Sequence, residues 1–290
     1  MSELLPGSAE VAFVDLPATA EATIATVVIV APRDRMREAA DALAQASDSG
    51  GVRAILIVAD TDAAAASVRV APEGILIEGL KPEHFDNAVA ALRLSSLPTL
   101  VWWRGGSADV LRGLAALADR IVLDAPDPTA VWPLVARLAE RTAVTDVRWA
   151  RLTRWRTLMA HFFDIPDVRD AAGSFHSLEI HGGDPHAARL FAGWLTSSLQ
   201  PDERISVTLT EHAGAPPIEY VQLANGRHRL TLRLAESRTC VVTSVDGGSG
   251  ASRIVSLGDQ SLAAVIAEEL RVRSHDPSFE RSILAIEGNR

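Results

Sequence analysis

The segment Trp102–Ser107 (WWRGGS) places an arginine, two glycines and a serine at the end of an apolar run. Open α/β sheets bind ligands at the carboxyl ends of their strands, and a glycine turn before a helix suits a phosphate group. The segment lacks both the G-x-G-x-x-G fingerprint and the Lys-Ser/Thr pair of a P-loop, and Asp109 would repel an anion. We therefore predict that Ser107 caps a helix, with phosphate binding as the alternative.

Two further segments contain groups that catalysis or metal binding could use. In His181–His186 (HGGDPH) one carboxylate lies between two imidazoles, which suits a general base or a metal site. Asp184 directly precedes Pro185, however, and this order predicts an N-cap followed by proline at the first helical position. The segment 247–251 (GGSGA) lacks the second glycine of a nucleophile elbow, and no helix pattern follows it. Neither segment therefore predicts a catalytic centre.

The segment Asp146–Arg156 concentrates tryptophan and arginine. Projected as a helix, it continues into one broad apolar stripe, which Arg151 and Arg156 border and whose start Thr145 or Asp146 can cap. The stripe consists of Trp149, Leu152, Trp155, Leu158, Met159, Phe162 and Phe163. One interpretation is a core helix whose arginines extend to water or pair with carboxylates. The other is a protein interface, because tryptophan and arginine are the residues that most often anchor one.

The composition excludes several classes of protein. With 290 residues, of which 48% are hydrophobic, the chain can bury a core without a metal or disulfide staple. A formal charge of −9 argues against a general nucleic-acid binder. Cys240 is the single cysteine and the eight histidines are scattered, so the sequence predicts neither a disulfide nor a zinc site. Without a signal-like start or a long apolar run, we expect a soluble cytoplasmic protein that does not bind membranes.

Strands and helices alternate over residues 1–142, which we assign to a first domain. Apolar runs typical of buried strands occur at 24–30, 54–58, 97–103 and 120–124. Helical patterns follow them at 32–46, 84–94, 107–117 and 129–141. A short hairpin is predicted around Pro72-Glu73-Gly74. This alternation predicts an α/β class with a doubly wound, mostly parallel sheet.

Residues 143–290 are predicted to form an α+β domain entered through the long Trp/Arg-rich helix. Four β-rich runs follow in succession and predict an antiparallel meander, at 205–210, 218–223, 228–234 and 239–245. Asn225-Gly226 predicts a type I′ turn, because both of its central residues need positive φ. A flexible loop is expected over 245–252, and helices are expected at 260–272 and 277–285.

Six stretches between about residue 95 and the end of the chain share motifs with one known family. They are Leu97–Gly105, Leu117–Asp124, Asp146–Arg156 with the core WARLTxWR, Ala188–Leu195 and the terminal pair Ala267–Arg271 and Asp276–Leu284. In these stretches the sequence resembles the glucose-6-phosphate dehydrogenase assembly proteins, the OpcA family. The WARLTxWR motif is the most specific of them.

The resemblance implies a non-enzymatic partner of glucose-6-phosphate dehydrogenase that supports its oligomerisation and activation in the oxidative pentose phosphate pathway. NADP and glucose 6-phosphate would then belong to the dehydrogenase, and this chain would need no cofactor. The positions that match family motifs are expected to contact the partner or to hold the two domains together. They are Trp102, Trp103, Arg104, Asp146, Trp149, Arg151, Trp155 and Arg156. The alternative function is a small-molecule-binding enzyme or sensor that uses the strand end at Arg104–Ser107 for a sugar phosphate or nucleotide.

Overall fold

The computed structural model describes residues 23–47, 51–60, 65–199, 204–246, 252–272 and 274–288. Within these ranges the chain forms two β-sheets, one after the other, with helices packed against them. No helix in the described ranges is both long enough and apolar enough to cross a membrane.

The first sheet has seven strands and is parallel except at one edge. Its strands are β1 (Thr23–Ala31), β2 (Gly51–Val58), β3 (Ser67–Ala71), β4 (Gly74–Glu78), β5 (Thr99–Trp103), β6 (Arg120–Leu123) and β7 (Ala143–Asp146). They lie in the order β3-β4-β2-β1-β5-β6-β7, and only the β3–β4 hairpin is antiparallel. The predicted α/β class and the hairpin at residues 72–74 are confirmed. Strand β7 was not predicted as a strand, because its sequence AVTD has no apolar run like that of the equally short β6, RIVL.

Helices cover both faces of this sheet. They are α1 (Arg33–Ala46), α2 (Phe85–Leu92), α3 (Ala108–Ala115) and α4 (Val135–Leu138). In the central strand β1, Val28 and Val30 face one apolar cluster while Val27 and Ile29 face the other, and all four are fully buried. Strands covered on both faces are continuous apolar runs, which is why β1 was readable from the sequence. The helix predicted over 129–141 is much shorter: a 3-10 turn over Trp132–Leu134 precedes α4, and Pro133, which is tolerated only in a first turn, prevents a helix from starting at residue 129.

The predicted long Trp/Arg-rich helix is divided into α5 (Val147–Arg151) and α6 (Thr153–His161), and α7 (Pro166–Asp170) follows. The division lies at Leu152, whose N–H is shared between the carbonyls of Arg148 at 3.0 Å and Trp149 at 3.1 Å. The prediction of one continuous helix was therefore wrong, although the apolar stripe persists across the break. Six of the seven stripe residues are buried, and Phe163 packs against the same core.

The second sheet has six strands. Its elements are β8 (Ser177–Gly182), α8 (Pro185–Leu199), β9 (Ser206–Glu211), β10 (Tyr220–Ala224), β11 (Arg229–Leu234), β12 (Cys240–Asp246), β13 (Ser252–Ser256), α9 (Leu262–Arg271) and α10 (Pro277–Glu287). The strand order is β13-β12-β11-β10-β8-β9, and the meander is confirmed over β10–β13. Strand β9 was expected to open this meander, but it pairs in parallel with β8. The crossover helix α8 returns the chain in the same direction, as a parallel pair requires.

The predicted hairpin between β10 and β11 is present, but its turn type was predicted wrongly. Neither Asn225 nor Gly226 has positive φ, so the turn is not type I′. The Asn225 side chain instead accepts hydrogen bonds from the N–H groups of Arg227 at 2.9 Å and His228 at 2.6 Å. This side-chain turn replaces the backbone geometry that positive φ would supply. The expected loop over 245–252 is a strand at both ends, and residues 247–251 lie outside the described ranges.

Helices α8 and α10 pack closely at Gly193. A Cβ placed on Gly193 would lie 2.6 Å from the carbonyl oxygen of Ser282, and the Ser282 hydroxyl donates to the carbonyl of Leu190 at 2.7 Å. Since a real Cβ does not approach a carbonyl oxygen that closely, the two helices depend on glycine at this position.

We predict that Gly193→Ala lowers the free energy of unfolding by about 1 kcal/mol or more, since forcing the helices apart outweighs the better helix propensity of alanine. Urea unfolding checks this. Gly226→Ala is the matched control, because a Cβ there meets nothing within 4 Å; it should change stability by less than about 0.5 kcal/mol. Equal effects of the two changes would contradict the packing argument.

Candidate functional site around the tryptophan and arginine segment

Arg104 occupies the carboxyl edge of the first sheet, immediately after β5. Its side chain is 2% exposed, and each of its three nitrogens donates a hydrogen bond. Nε donates to Asp124 at 2.7 Å, Nη1 to the carbonyl of Arg35 at 2.8 Å and Nη2 to Glu38 at 2.6 Å. The guanidinium also lies 5.3 Å from the ring centroid of Trp102, whose indole N–H donates to Asp124 at 3.3 Å. Arg104 is therefore fully engaged within the chain.

The start of α1 fills the rest of this edge. Pro32 precedes the helix and has no N–H to offer, and the N–H of Arg33 donates to the Asp60 carboxylate at 2.9 Å. A Cβ on Gly105 would lie 3.1 Å from Pro32, so the chain has no spare room there. The helix end that would attract a phosphate in this kind of fold already faces a carboxylate.

The glycines after Trp103 have a structural role. Gly106 has φ of +125°, and a Cβ on it would lie 2.6 Å from the Trp103 ring. Ser107 caps α3 by accepting from the N–H of Val110 at 3.4 Å, which confirms the simpler of the two sequence interpretations. Trp103 itself is buried on the sheet face opposite to Trp102.

Asp146 and Arg148 connect the last strand of the first sheet to the second sheet. Asp146 is fully buried, caps α5 by accepting from the Arg148 N–H at 2.8 Å, and accepts from the indole of Trp132 at 3.2 Å. Arg148 donates to Asp184 at 2.8 Å. Asp184 in turn caps α8 by accepting from the N–H groups of residues 186 and 187, as predicted. Burial raises the pKa of Asp146 to about 6.

Trp149 and Arg156 form a stack that reaches the last helix. The Arg156 guanidinium carbon lies 3.6 Å from the Trp149 ring centroid. The Trp149 indole donates to Asp276 at 2.7 Å, and Asp276 caps α10 through the N–H groups of Ser278 and Phe279. Burial lowers the pKa of Arg156 to about 10, and its Nε is buried without a hydrogen-bond partner. A cation held over an indole in this way is stabilised by the ring face.

A buried ion pair that the sequence analysis missed holds α9 against the first sheet. Arg120, in β6, donates from Nε to Glu269 at 2.8 Å and also from Nη2, and both side chains are 7% exposed. Desolvation raises the pKa of Glu269. The two residues lie 149 positions apart, and no local pattern in the sequence links them.

Two clefts flank the segment Trp149–Arg156. The first cleft, of about 640 Å³, lies between α5, α6 and α9, and its walls include Trp149, Arg154, Arg156, Glu268 and His275. The second cleft, of about 340 Å³, lies on the other side, and its walls include Arg148, Arg151, Leu152, Trp155 and Arg238. No cluster of three or more potential metal ligands occurs in the described ranges.

The structure thus separates the eight motif residues into two groups. The tryptophans at 102, 103, 149 and 155 are buried and contact neighbours within the chain, as do Arg104 and Asp146. Arg151 and Arg156 are half-buried and line the second and first clefts respectively.

Comparison with known sequences identifies the second half of the chain. Residues 142–283 match the family described as the C-terminal domain of the glucose-6-phosphate dehydrogenase subunit. A protein of Synechocystis sp. named as an OxPP cycle protein, OpcA, is 30% identical over 127 residues, which cover 41% of this chain and 27% of that protein. The protein of the same name from Nostoc punctiforme is 28% identical over 127 residues, which again cover 41% of this chain and 27% of that protein. The match therefore spans about a quarter of the length of these curated relatives.

Comparison with solved structures shows the fold alone. An oxidoreductase from Sinorhizobium meliloti superposes with a TM-score of 0.54 at 8% identity, covering 92% of this chain and 95% of that one. The two-sheet fold of this chain therefore also occurs in an oxidoreductase.

The buried Asp146 predicts a pH dependence of stability. Its pKa is about 6 in the folded chain against an ordinary value of 3.8, so its contribution is fully present below about pH 4 and is lost as the pH rises through about 6. Over this pH range the free energy of unfolding should fall by about 3 kcal/mol. Asp146→Asn keeps a capping oxygen but cannot ionise. In urea unfolding, the stability of the native chain relative to this variant should fall between about pH 4 and pH 7; a constant difference would contradict the assignment.

Proposed function

Because residues 142–283 belong to the OpcA family, we propose that this chain binds glucose-6-phosphate dehydrogenase. In this proposal it acts in the cytoplasm as a non-catalytic factor that supports oligomerisation and allosteric activation of the enzyme in the oxidative pentose phosphate pathway. NADP and glucose 6-phosphate bind to the dehydrogenase, and this chain contributes no catalytic group.

The occupied carboxyl edge of the first sheet is the observation that supports a non-catalytic role. Doubly wound sheets bind nucleotides at the carboxyl ends of their strands, where a helix start and a glycine turn receive the phosphates. Here Arg104 fills that place and is held by Asp124 and Glu38, while Pro32 and Asp60 occupy the helix start. The alternative of a sugar phosphate or nucleotide bound at Arg104–Ser107 finds no unengaged guanidinium nitrogen there.

We place the docking surface at the first cleft. Arg154 is exposed there, and Arg156 presents its guanidinium over the indole of Trp149. Arginines beside a tryptophan are the kind of group that supplies most of the energy of a protein interface. The tryptophans beneath are buried in the core, so a partner at this cleft would meet Arg156 and Thr153 of the WARLTxWR motif and Arg154 at its variable position.

The proposal is tested by co-purification with the dehydrogenase from the same organism. We expect a complex on size-exclusion chromatography, a change in the oligomeric state of the dehydrogenase and a rise in its specific activity. The chain alone should not oxidise glucose 6-phosphate with NADP. Absence of a complex together with unchanged activity would overturn the proposal.

Single substitutions locate the surface. Arg154→Ala and Arg156→Ala should each weaken the complex, by about 2 kcal/mol for a true interface anchor. Titration calorimetry measures the affinity, and thermal unfolding of each variant checks the fold. Arg154 is exposed without an ion pair in the described part of the chain, so its variant should keep wild-type stability.

Arg137→Ala is the matched control, because Arg137 is an exposed arginine on α4 that does not line the first cleft. It should leave the affinity unchanged. If all three variants bind the dehydrogenase as the native chain does, the docking surface lies elsewhere.

A further inference from the structure

The second cleft has an apolar floor and a positively charged rim. Leu152, Trp155, Ile218 and Leu257 form the floor, and each is at most 6% exposed. The cleft lies between α5, the start of α8 and the hairpin that joins β11 to β12. The docking surface proposed at the first cleft does not include it.

The charges around this cleft do not balance. Of its three arginines, Arg148 is neutralised by Asp184 and Asp146. Arg151 donates only from Nε, to the carbonyl of Gln260 at 3.3 Å, and it forms no ion pair with any described carboxylate. Arg238 is exposed and likewise has no ion pair within the described ranges. Two guanidinium groups thus remain available at one cleft of a chain whose net charge is −9.

The backbone conformation of Arg238 is a second, independent reason to expect a ligand in this cleft. Its φ is +57°, the only positive φ of a non-glycine residue in the described ranges. The residue lies in the hairpin loop between Leu234 and Cys240, at a left-handed position that favours glycine or asparagine. Arginine is energetically unfavourable at this positive φ, so the requirements of the turn do not explain why the residue at 238 is an arginine. Its side chain forms part of the wall of the second cleft.

We propose that the second cleft binds a small organic anion, in which a phosphate or carboxylate group is attached to an apolar or planar body. The anionic group lies against Arg151 and Arg238, whose planar guanidinium groups suit two-oxygen acceptors. The body lies on Leu152 and Trp155. This site is separate from the strand end at Arg104 and does not depend on the proposed docking function.

The size of the cleft favours a small molecule over a protein segment. A volume of about 340 Å³ lies at the lower end of small-molecule sites, which are concave, mostly apolar and orient their ligand with a few polar groups. A stable protein interface would bury a much larger surface than this cleft offers.

Binding is tested on the isolated chain with four probes at constant ionic strength, so that general screening does not differ between them. The probes are phenyl phosphate, benzoate, inorganic phosphate and benzyl alcohol. A ligand that binds only the folded chain raises its Tm. We expect phenyl phosphate or benzoate to raise Tm at lower concentration than inorganic phosphate, and benzyl alcohol to have no effect. The relative effects of phenyl phosphate and benzoate tell which acidic group the site prefers.

Arg238→Gly separates binding from folding. Since glycine tolerates positive φ, the variant should unfold at the same temperature as the native chain or higher. Its affinity for the bound probe should fall at least tenfold, as should that of Arg151→Gln. Arg137→Gln, an exposed arginine outside the cleft, should bind the probe as the native chain does.

Three results would overturn the proposal. The first is no response to any anion, and the second is an equal response to benzyl alcohol and phenyl phosphate. The third is unchanged probe affinity in both cleft variants. If no probe binds and the cleft variants lose the dehydrogenase complex instead, the occupant is a protein segment and the small-anion site is rejected.

Discussion

A guanidinium group removed from water must be matched by carboxylates or carbonyls, and this requirement governs the junction of the two sheets. Arg104 meets it through Asp124, Glu38 and a backbone carbonyl, and Arg120 meets it through Glu269. Arg148 meets it through Asp184. Removal of one partner would leave a buried charge unpaired, so each pair fixes the relative position of the elements that carry it. The tryptophans fill the space between these pairs.

The same pairs occupy the strand ends of a fold that an oxidoreductase shares. A fold does not determine a function; the side chains at the strand ends do. In this chain Arg104, Pro32 and Asp60 occupy the carboxyl edge, which is where doubly wound sheets commonly bind nucleotides. The tryptophan-rich segment lies next to that edge and connects it to the second sheet, and its arginines lie at the two clefts together with Trp149 and Trp155.

Local features were predictable from the sequence, and distant partners were not. The caps at Ser107 and Asp184 were correctly predicted, and Asp146 was one of the two residues expected to cap its helix, because a cap depends on residues two or three positions away. Buried strands were recognisable from apolar runs. Strand β8 was missed although its residues alternate between polar and apolar. Strand β9 was assigned the wrong neighbour, because periodicity identifies a strand but does not show which strand it pairs with. The bonds from Arg120 to Glu269 and from Trp149 to Asp276 join residues more than 120 positions apart, which no local pattern could reveal.

The position of α9 has a consequence for synthesis of the chain. This helix covers part of the first sheet beside α1, yet it is translated after all thirteen strands of the described ranges. Until residue 271 leaves the ribosome, the apolar surface that Val265 and Ile266 later cover stays exposed to water. Contacts that span so much of the chain form slowly, since a long loop must close before they can form. A nascent chain of this protein therefore has a long interval in which it needs protection from aggregation.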